Sequence, residues 1–510
     1  MPVTNERLPR ILLLSGLLSL ALYAGYDHWG ELPMALGLVR ARPPAPLNAA
    51  ILLSLLWMTY IPAVLWVART PPATRTEDRW ALAWVIALAV LFRIVLLPGE
   101  PEISSDFYRY LWDGRVFHAG VNPYAFPPTA QALAPLRFDS LHLHLNRPDV
   151  PGFYPPLAEW VFRAVDAFHS NVVGLKFAFF SFEAFGAGAL LVLLRRVGRP
   201  LSQSLVYLWN PLIVVELTRG GHSDAIMLPW LLFALFFRMN GRMAAAGVAL
   251  GLATLARLYP IVCLFALIRR ARPGERRLFG FEPALPIAFG MTLLAGYLPF
   301  LRMEGGVLGN VPGYLASDWE EFNAGIRIVL RYTLAWAMGV DDPWRYSATA
   351  GQILAAGFLV YCVRVALRRE EGDQTLRRTI AVLGGWLLLV TPSVEPWYAW
   401  GLVALAAVTL SPAWIWFSGA AGLSYLKYVA RPSLVPTWVL IIEFLPTLAF
   451  LAYETGKAPA SDHTPPSTGE LVPQPPPERR QTLVPLYVIG MFPVIAILLV
   501  LIFFFGGFAG

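Results

Sequence analysis

A single aspartate opens the densest run of ionisable and aromatic side chains in this sequence, within the polar stretch from Pro101 to Leu157. A carboxylate that lies just beyond an apolar segment can act as a general base when a hydroxyl comes within hydrogen-bonding distance. The run therefore predicts a reactive site with Asp106 as its base. Its members are Asp106, Tyr108, Arg109, Tyr110, Trp112, Asp113, Arg115 and His118.

Ion pairing is the alternative interpretation of the same side chains. At helical spacing, Arg109 lies three residues after Asp106 and four before Asp113, so it can pair with either carboxylate. Exposed pairs of this kind are common and contribute little to stability. The residue types alone leave both interpretations open.

Two turn motifs follow the run, one ending in Tyr124 (Gly-Val-Asn-Pro-Tyr) and one containing Tyr154 (Phe-Tyr-Pro-Pro-Leu). Asn-Pro pairs initiate turns, and tyrosine is enriched at membrane interfaces. We expect both motifs to shape and anchor the loop, with lining of a substrate cleft as a secondary role.

A second polar island contains His222 and Asp224, which stand in otherwise apolar sequence together with Asn210, Glu216 and Arg219. Ionisable groups in or beside a membrane are costly and are functional candidates for that reason. One histidine with one aspartate two positions later is weak evidence for a metal site. We predict a hydrogen-bonding network here.

Arg257, with Tyr259 beside it, places a cation in the middle of an apolar hairpin. Such a side chain either extends to the membrane surface or offers its fork of donors to a ligand phosphate. Two later polar segments complete the set of candidates. They are Phe322 to Arg327, and Thr391 to Tyr398 with Glu395 and Trp397 inside it.

Composition indicates a membrane protein. Of 510 residues, 57% are hydrophobic and 14% are charged, and the mean hydropathy is +0.56, whereas soluble domains carry about a quarter charged residues. Cys263 and Cys362 lie in apolar segments and form no metal-ligand spacing or disulfide framework. The net charge of +7 comes from arginines between apolar segments. Cytoplasmic loops of membrane proteins carry such an excess, so no nucleic-acid partner is predicted.

Basic residues fix the orientation, because cytoplasmic loops carry an excess of Lys and Arg. The first four predicted spans are consistent with one topology, with Arg7 inside, Asp27 outside and Arg69 inside. The Asp106 loop then lies on the non-cytoplasmic face, and the parity of later spans puts Glu395 there too. Polar islands on one face indicate one composite site. The four spans are residues 11–26, 47–67, 80–97 and 172–194.

The sequence predicts an all-α polytopic membrane protein with roughly 12–15 transmembrane helices and a re-entrant or amphipathic first outer loop. Short apolar pairs such as Met243 to Ala256 with Tyr259 to Ile268 are expected to be re-entrant, and Phe322 to Gly339 is not assigned as a span. Four segments are predicted. They are two N-terminal transmembrane helices (1–79), a helical core (80–452) with its catalytic loop (98–170), a Pro-rich disordered linker (453–482) and a C-terminal transmembrane helix (483–510).

Four blocks, in order over roughly residues 80 to 400, resemble the GT-C glycosyltransferases. They are most similar to the bacterial polyprenol-phosphate-mannose-dependent mannosyltransferases, and more distantly to the first mannosyltransferase of GPI-anchor synthesis. The first block resembles their first luminal loop: Asp106-Phe-Tyr108, Trp-Asp113-Gly, Gly-Val-Asn-Pro-Tyr124 and Phe-Tyr154-Pro-Pro-Leu. The others are Trp209-Asn-Pro-Leu with Gly221-His222-Ser-Asp224, then Arg257-Leu-Tyr259-Pro, then Pro392 to Tyr398.

The resemblance implies a GT-C-like bundle that transfers a hexose, expected to be mannose, from a polyprenyl-phosphate donor to a lipid or glycan acceptor. Asp106 takes the position of the residue that deprotonates the acceptor hydroxyl, with inversion at the sugar. Arg257 and Arg327 are the candidates for holding the donor phosphate. The expected substrate-binding residues are Tyr108, Arg109, Asp113, Arg115, Tyr124, Tyr154, His222, Asp224, Arg257, Tyr259, Arg327, Glu395, Trp397 and Tyr398.

The sequence departs from the family pattern at three positions. Ser104 stands where relatives carry the first acid of an Asp-x-Asp pair, so a divalent metal is not supported, and no cofactor is predicted beyond the lipid-phosphate sugar. Arg257 replaces a lysine, which keeps the charge. Glu395 replaces a histidine. Asp27, in the two N-terminal spans, is expected to be a bystander.

Two rival functions stay open. A transporter or flippase of lipid-linked sugars would bury ionisable residues too, but should show internal repeats, and a non-catalytic membrane scaffold would use its terminal helix for assembly. The predicted location is the bacterial cytoplasmic membrane, with the active site on the periplasmic or external face. Predicted partners are the donor lipid, the acceptor and membrane lipids, with a helix partner conceivable for the C-terminal span.

Overall fold

A computed structural model describes residues 8–28, 44–101, 104–271, 273–316, 322–368, 374–429 and 434–456. Within these ranges the chain is helical, with three isolated β-bridges and no named strand. The predicted all-α class is confirmed. Most of the predicted linker and all of the C-terminal helix (483–510) lie outside the described residues, while the last described helix continues to Gly456.

Among the described residues, six helices are long and apolar enough to cross a membrane, which confirms a polytopic membrane protein. The six observed spans are Ala45–Arg69, Arg75–Leu96, Val172–Arg196, Ala284–Leu301, Pro343–Leu367 and Thr437–Gly456. The bounds of the first three agree to within a few residues with the spans predicted at 47–67, 80–97 and 172–194. Three shorter apolar helices accompany them: Arg10–Ala24, Met243–Ala256 and Pro396–Thr409.

The predicted total of roughly 12–15 transmembrane helices stays a prediction, since the six spans are the long, uninterrupted helices in the described part of the chain. Apolar stretches that look continuous in sequence are divided by short irregular turns, so each piece falls below the length of a span. Arg257, for example, ends one helix with extended backbone (φ −146°), and a 3-10 turn over Tyr259–Cys263 follows.

We number the α-helices in chain order. They are α1 (Leu8–Ala24), α2 (Ala45–Arg69), α3 (Arg75–Leu96), α4 (Asp106–His118), α5 (Pro156–His169), α6 (Val172–Arg196), α7 (Leu205–Leu208), α8 (Pro211–Val215), α9 (Leu228–Met239), α10 (Met243–Ala256), α11 (Leu264–Leu267), α12 (Ala284–Leu301), α13 (Val311–Ala316), α14 (Gly325–Ala337), α15 (Ser347–Leu367), α16 (Thr375–Gly385), α17 (Trp400–Thr409), α18 (Pro412–Ala420) and α19 (Thr437–Gly456).

The chain forms two compact units. The described residues within Met1–Ile103, Leu190–Gly220 and Val403–Gly510 form the first unit, and those within Ser104–Ala189 and Gly221–Leu402 form the second. The sequence-based boundaries near residues 79, 452 and 482 are not tested by this division and stay predictions.

Buried polar side chains fasten the helices of the first unit. Arg93 of α3 is buried and donates to the carbonyls of Ala89 and Leu208, at 3.0 and 2.9 Å. Asp27 accepts two hydrogen bonds from Arg219, at 2.6 and 2.7 Å. Asp27 is therefore no bystander to the fold, because it neutralises a cation that is itself buried.

Small residues set the helix packing of the second unit. A Cβ at Gly247 of α10 would lie 2.3 Å from the Leu285 carbonyl oxygen of α12, and a Cβ at Gly251 would lie 2.6 Å from Thr292 Cβ. Glycines four residues apart on one helix face let the backbones of membrane helices approach each other. The α10–α12 contact thus follows from the sequence Gly247-x-x-x-Gly251.

Gly114 plays the same part between α4 and α5, the two helices of the outer loop. A Cβ there would lie 2.4 Å from the carbonyl oxygen of Phe162 and 2.7 Å from its carbonyl carbon. These are backbone atoms of a helix, so they cannot move aside without moving α5.

We expect Gly114→Ala to destabilise the protein by about 1–3 kcal/mol, the usual cost of overpacking. Thermal unfolding in detergent measures the change. Gly188→Ala is the matched control, because a Cβ at Gly188 in α6 meets no atom within 4 Å, and alanine in a helix interior is neutral or stabilising. Equal unfolding temperatures for the two variants would contradict the close approach.

Candidate active site

Asp106 stands at the first position of α4, where the helix dipole favours a negative charge. Its backbone N–H donates to Ser104 Oγ at 3.2 Å. The amide of Asn146 donates to Asp106 Oδ1 at 2.7 Å, and His222 Nδ1 lies 3.9 Å from Oδ2. With its side chain 23% exposed, Asp106 is a fixed carboxylate that a substrate can reach.

His222 is fully buried and stacks on Trp397, with ring centroids 3.7 Å apart and an interplanar angle of 16°. Gly221 precedes it with φ +65°, in the left-handed region that glycine adopts without strain. The glycine lets the chain turn sharply before His222. The second and fourth sequence blocks therefore meet at the Asp106 carboxylate.

Arg257 and Asp224 form a buried ion pair with an N–O distance of 2.5 Å. Tyr259 also donates to Asp224, at 3.4 Å. The Arg257 guanidinium carbon lies 5.4 Å from the ring centroid of Tyr154, which is cation–π geometry. Asp224 thus orients Arg257, and the second and third blocks join the first loop.

Asp106 and Arg257 act on the same pair of tyrosines. Burial raises the pKa of Tyr110 and of Tyr154, and for each the negative charge of Asp106 is the next largest cause. The positive charge of Arg257 opposes both shifts. Since Tyr110 and Tyr154 are also in edge contact at 5.0 Å, the acid and the cation flank one aromatic wall.

Tyr259 and Tyr398 complete the aromatic side of the cluster. Tyr259 stacks on Trp386 at 4.6 Å, and Tyr398 lies 6.0 Å from Tyr259. Trp386 begins a π-helical turn, a feature that occurs frequently at functional sites. The prediction of one composite site is thus supported for the residues around Asp106, His222, Asp224 and Arg257.

Glu395 lies in the loop that carries Trp397. Its Oε1 accepts from Ser393 Oγ at 2.8 Å. The same loop bridges to Phe322, whose carbonyl accepts from Val394 N–H at 2.8 Å. The loop is therefore fastened to the segment before α14, and Glu395 keeps its predicted role as an untested substrate contact.

Arg327 lies on α14 and faces α15. Its Nε donates to the Ser347 carbonyl at 3.2 Å, and its guanidinium lies against Gly351. These contacts place it on a different pair of helices from Arg257. Its predicted role at the donor phosphate stays a prediction, and Arg257 is the better-supported cation.

Arg109 and Asp113 form an ion pair at 2.9 Å, with side chains 1% and 2% exposed. Arg109 also donates to the carbonyls of Arg147 and Val150, at 3.3 and 3.0 Å. Burial raises the pKa of Asp113 to about 6, although the charge of Arg109 opposes the shift. Their burial and their contacts favour a framework role over the substrate contact that we predicted for them.

The remaining predicted substrate contacts also hold the outer loop together. Arg115 pairs with Asp139 at 2.7 Å, and this hydrogen bond lowers the pKa of Asp139. Tyr124 donates to the Tyr154 carbonyl at 2.6 Å. Tyr108 stacks on His144 at 5.0 Å, next to Asp106 in sequence.

Asn146 is the functional candidate that sequence reasoning missed. It lies 40 residues from the carboxylate that it contacts, and no motif surrounds it. The one local signal is Asn-Arg-Pro, a polar turn-forming sequence. Arg147 adopts φ +49°, a conformation that is uncommon outside glycine, and its carbonyl is held by Arg109.

Three or more His, Cys, Asp or Glu side chains do not converge anywhere in the residues that the structure describes. The candidate site instead combines one accessible carboxylate, one buried histidine and one oriented arginine. This arrangement suits proton transfer from a hydroxyl together with stabilisation of a departing anion. The sequence-based expectation of no metal stays a prediction.

Comparison with known proteins points to one family. Residues 11–271 match the family model described as alpha-(1->6)-mannopyranosyltransferase, N-terminal domain. That range contains Asp106, Asn146, His222 and Arg257. No solved structure matches the chain.

Curated relatives carry the same description. The chain is 24% identical over 387 residues to alpha-(1->6)-mannopyranosyltransferase B of Corynebacterium glutamicum, which covers 67% of this chain and 63% of the relative. It is 24% identical over 393 residues to an alpha-(1->6)-mannopyranosyltransferase of Mycobacterium tuberculosis, covering 63% of this chain and 65% of the relative. The match thus spans less than two thirds of either relative's length. Because the family model covers just over half of the sequence, the chain belongs to the alpha-(1->6)-mannopyranosyltransferase family.

Proposed function

We propose that this protein transfers a mannosyl group from a polyprenyl-phosphate donor to a hydroxyl of a lipid or glycan acceptor. The observation that carries the proposal is the placement of Asp106, with one oxygen fixed by Asn146 and the other facing His222. The names of the relatives specify an α-(1→6) linkage. We extend it to this chain, with a mannose 6-hydroxyl as the acceptor group.

In the proposed reaction, Asp106 takes the proton of the acceptor hydroxyl, and the oxygen of that hydroxyl bonds to the anomeric carbon of mannose. The bond from that carbon to the donor phosphate breaks, and polyprenyl phosphate leaves with an added negative charge. Arg257, oriented by Asp224, stabilises this charge. Inversion at the sugar then requires a β-linked donor to give an α-linked product.

Orientation in the membrane is part of the proposal. The distribution of arginines supports a site on the non-cytoplasmic face, where a lipid-linked sugar is reached from the bilayer. We place the protein in the bacterial cytoplasmic membrane, with the outer loop that contains α4 and α5 on the periplasmic or external side.

Asp106→Asn is expected to lower mannosyl transfer by about 10²- to 10⁴-fold, the contribution of a general base, with donor binding retained. Transfer of radiolabelled mannose from synthetic polyprenyl-phosphate-mannose, in proteoliposomes, measures the loss. Asp139→Asn is the control, because it removes an acid of the same loop that pairs with Arg115. Full transfer by Asp106→Asn would remove this residue from the role of base and point to Asp113 or Glu395 instead.

Asn146 gives a test that depends on pH. Asn146→Ala should lower kcat about 10- to 100-fold with little change in the donor KM, since it removes a hydrogen bond to a charged group. Asn146→Asp places a second carboxylate within 2.7 Å of Asp106 Oδ1. In acid the two carboxylates can share one proton, and activity should persist. As the pH rises both ionise and repel each other, and activity should fall.

The wild-type enzyme should lack this fall, and so should Asn171→Asp, a control at an exposed turn whose side chain accepts from Gly174 N–H. A pH profile of Asn146→Asp that parallels the wild type would show that Asn146 does not position the base.

Arg257→Lys should keep most of the activity, because lysine supplies the positive charge that stabilises the leaving phosphate, although it lacks the guanidinium's fork of donors. Arg257→Gln should lower kcat by about two orders of magnitude, since the leaving phosphate loses its cation. Steady-state kinetics with variable donor concentration separates these effects. Equal kinetics for Arg257→Gln and the wild type would exclude Arg257 from the donor site.

A further inference from the structure

A hollow of about 320 Å³ lies on the outer loop, at the end of α4 remote from Asp106. It is lined by His118, Trp160, Arg163, Ala164 and Ala167. Four of these residues belong to α5, at spacings of three, four and seven, and so form one stripe of that helix. The two alanines leave space beside the large side chains of Trp160 and Arg163.

Arg163 brings an unneutralised positive charge to the hollow. Its guanidinium carbon lies 5.2 Å from the ring centroids of both Phe117 and Trp160. Its Nε is buried without a hydrogen-bond acceptor, and no ion pair to Arg163 occurs among the described residues. Two aromatic faces thus hold the cation by cation–π contact, while its charge is left for a ligand.

The nearest acid on α5, Asp166, is already engaged. Its Oδ2 lies 2.8 Å from His118 Nδ1, and its Oδ1 accepts from Ser170 Oγ at 2.5 Å. Asp166 therefore orients His118 rather than neutralising Arg163. The hollow combines a free guanidinium, an oriented imidazole and an apolar floor, which suits an anion attached to a hydrophobic body.

The position of the hollow indicates that this body is a membrane lipid. The helix α5 ends at His169, and the span α6 begins three residues later at Val172. Phe168 and Phe177 are 90% and 74% exposed on these two helices, which in a membrane protein indicates contact with hydrocarbon. Trp160 on the stripe is typical of the headgroup level.

The geometry points to a binding site for the phosphate of an anionic bilayer phospholipid, with Arg163 as the phosphate ligand and the Ala164–Ala167 floor against its hydrophobic part. The site is separate from the candidate active site, since thirteen residues of α4 place Asp106 and His118 roughly 18 Å apart. It goes beyond the proposed transfer reaction and does not depend on it. A bound phospholipid here would fasten the outer loop to the membrane surface.

Native mass spectrometry of the full-length protein, titrated in detergent with phosphatidylglycerol or phosphatidylcholine, tests the site directly. We expect Arg163→Gln to weaken phosphatidylglycerol binding about fivefold, the value of one basic residue at an anionic surface (~1 kcal/mol). Arg345→Gln is the matched control, because Arg345 is an exposed arginine of the 3-10 turn Pro343–Tyr346 and loses the same charge. Size-exclusion chromatography checks that each variant is folded.

Ala167→Trp is the second variant, since it fills the hollow and keeps the charge. Loss of phosphatidylglycerol binding in both Arg163→Gln and Ala167→Trp, with Arg345→Gln unchanged, supports the site. Wild-type binding by Arg163→Gln, or a loss in that variant with full binding by Ala167→Trp, overturns it.

In a third titration, displacement of phosphatidylglycerol by decaprenyl phosphate with the same dependence on Arg163 would support the phosphate site and assign it to a polyprenyl lipid.

Discussion

Arg109 lies at the centre of the outer loop, where its buried guanidinium joins a carboxylate of its own helix to two carbonyl groups of the segment 147–150. That segment carries Asn146, and Asn146 fixes the candidate base. Removing one partner of a buried ion pair typically costs about 3–5 kcal/mol, because the other charge is left unpaired. The position of Asp106 therefore depends on a buried ion pair in the framework of the outer loop.

Glu159 of α5 completes this buried framework. It is fully buried, and neither of its oxygens has a hydrogen-bond partner among the described residues. Burial raises its pKa, and the negative charge of Asp113 raises it further. The shift favours the uncharged form of Glu159 beside the Arg109–Asp113 pair, because a further charge would be costly to bury.

Irregular backbone marks the functional positions of the rest of the chain. A π-helical turn over Glu216–Gly220 precedes His222, and another over Trp386–Val390 precedes the loop of Trp397. Arg257 directly follows the end of α10 and has extended backbone. In a membrane such breaks are tolerated only where they line a cavity or are buried in protein, so their coincidence with three sequence blocks supports one common site.

The sequence predicted the elements whose signal is local. Apolar runs of span length predicted the helices around the outer loop. The ionisable residues His222, Asp224 and Arg257, which interrupt apolar sequence, predicted three members of the cluster. Asn146 was missed because its contact crosses 40 residues and depends on the left-handed turn at Arg147. The interruptions inside apolar stretches, such as the one after Arg257, were not located because hydropathy does not register a break of one turn. The spacing of Arg109 and Asp113 indicated that they could pair, but residue type did not reveal that the pair is buried.

In the proposed reaction, Asp106 takes the proton of the acceptor and Arg257 holds the donor phosphate. The most direct measurement is a structure of the protein with an acceptor and an unreactive polyprenyl-phosphate-mannose analogue. The account predicts the attacking hydroxyl within about 2.6–3.2 Å of an Asp106 carboxylate oxygen, with the phosphate against Arg257. A hydroxyl seated on another acid such as Glu395, or a phosphate remote from Arg257, would contradict it.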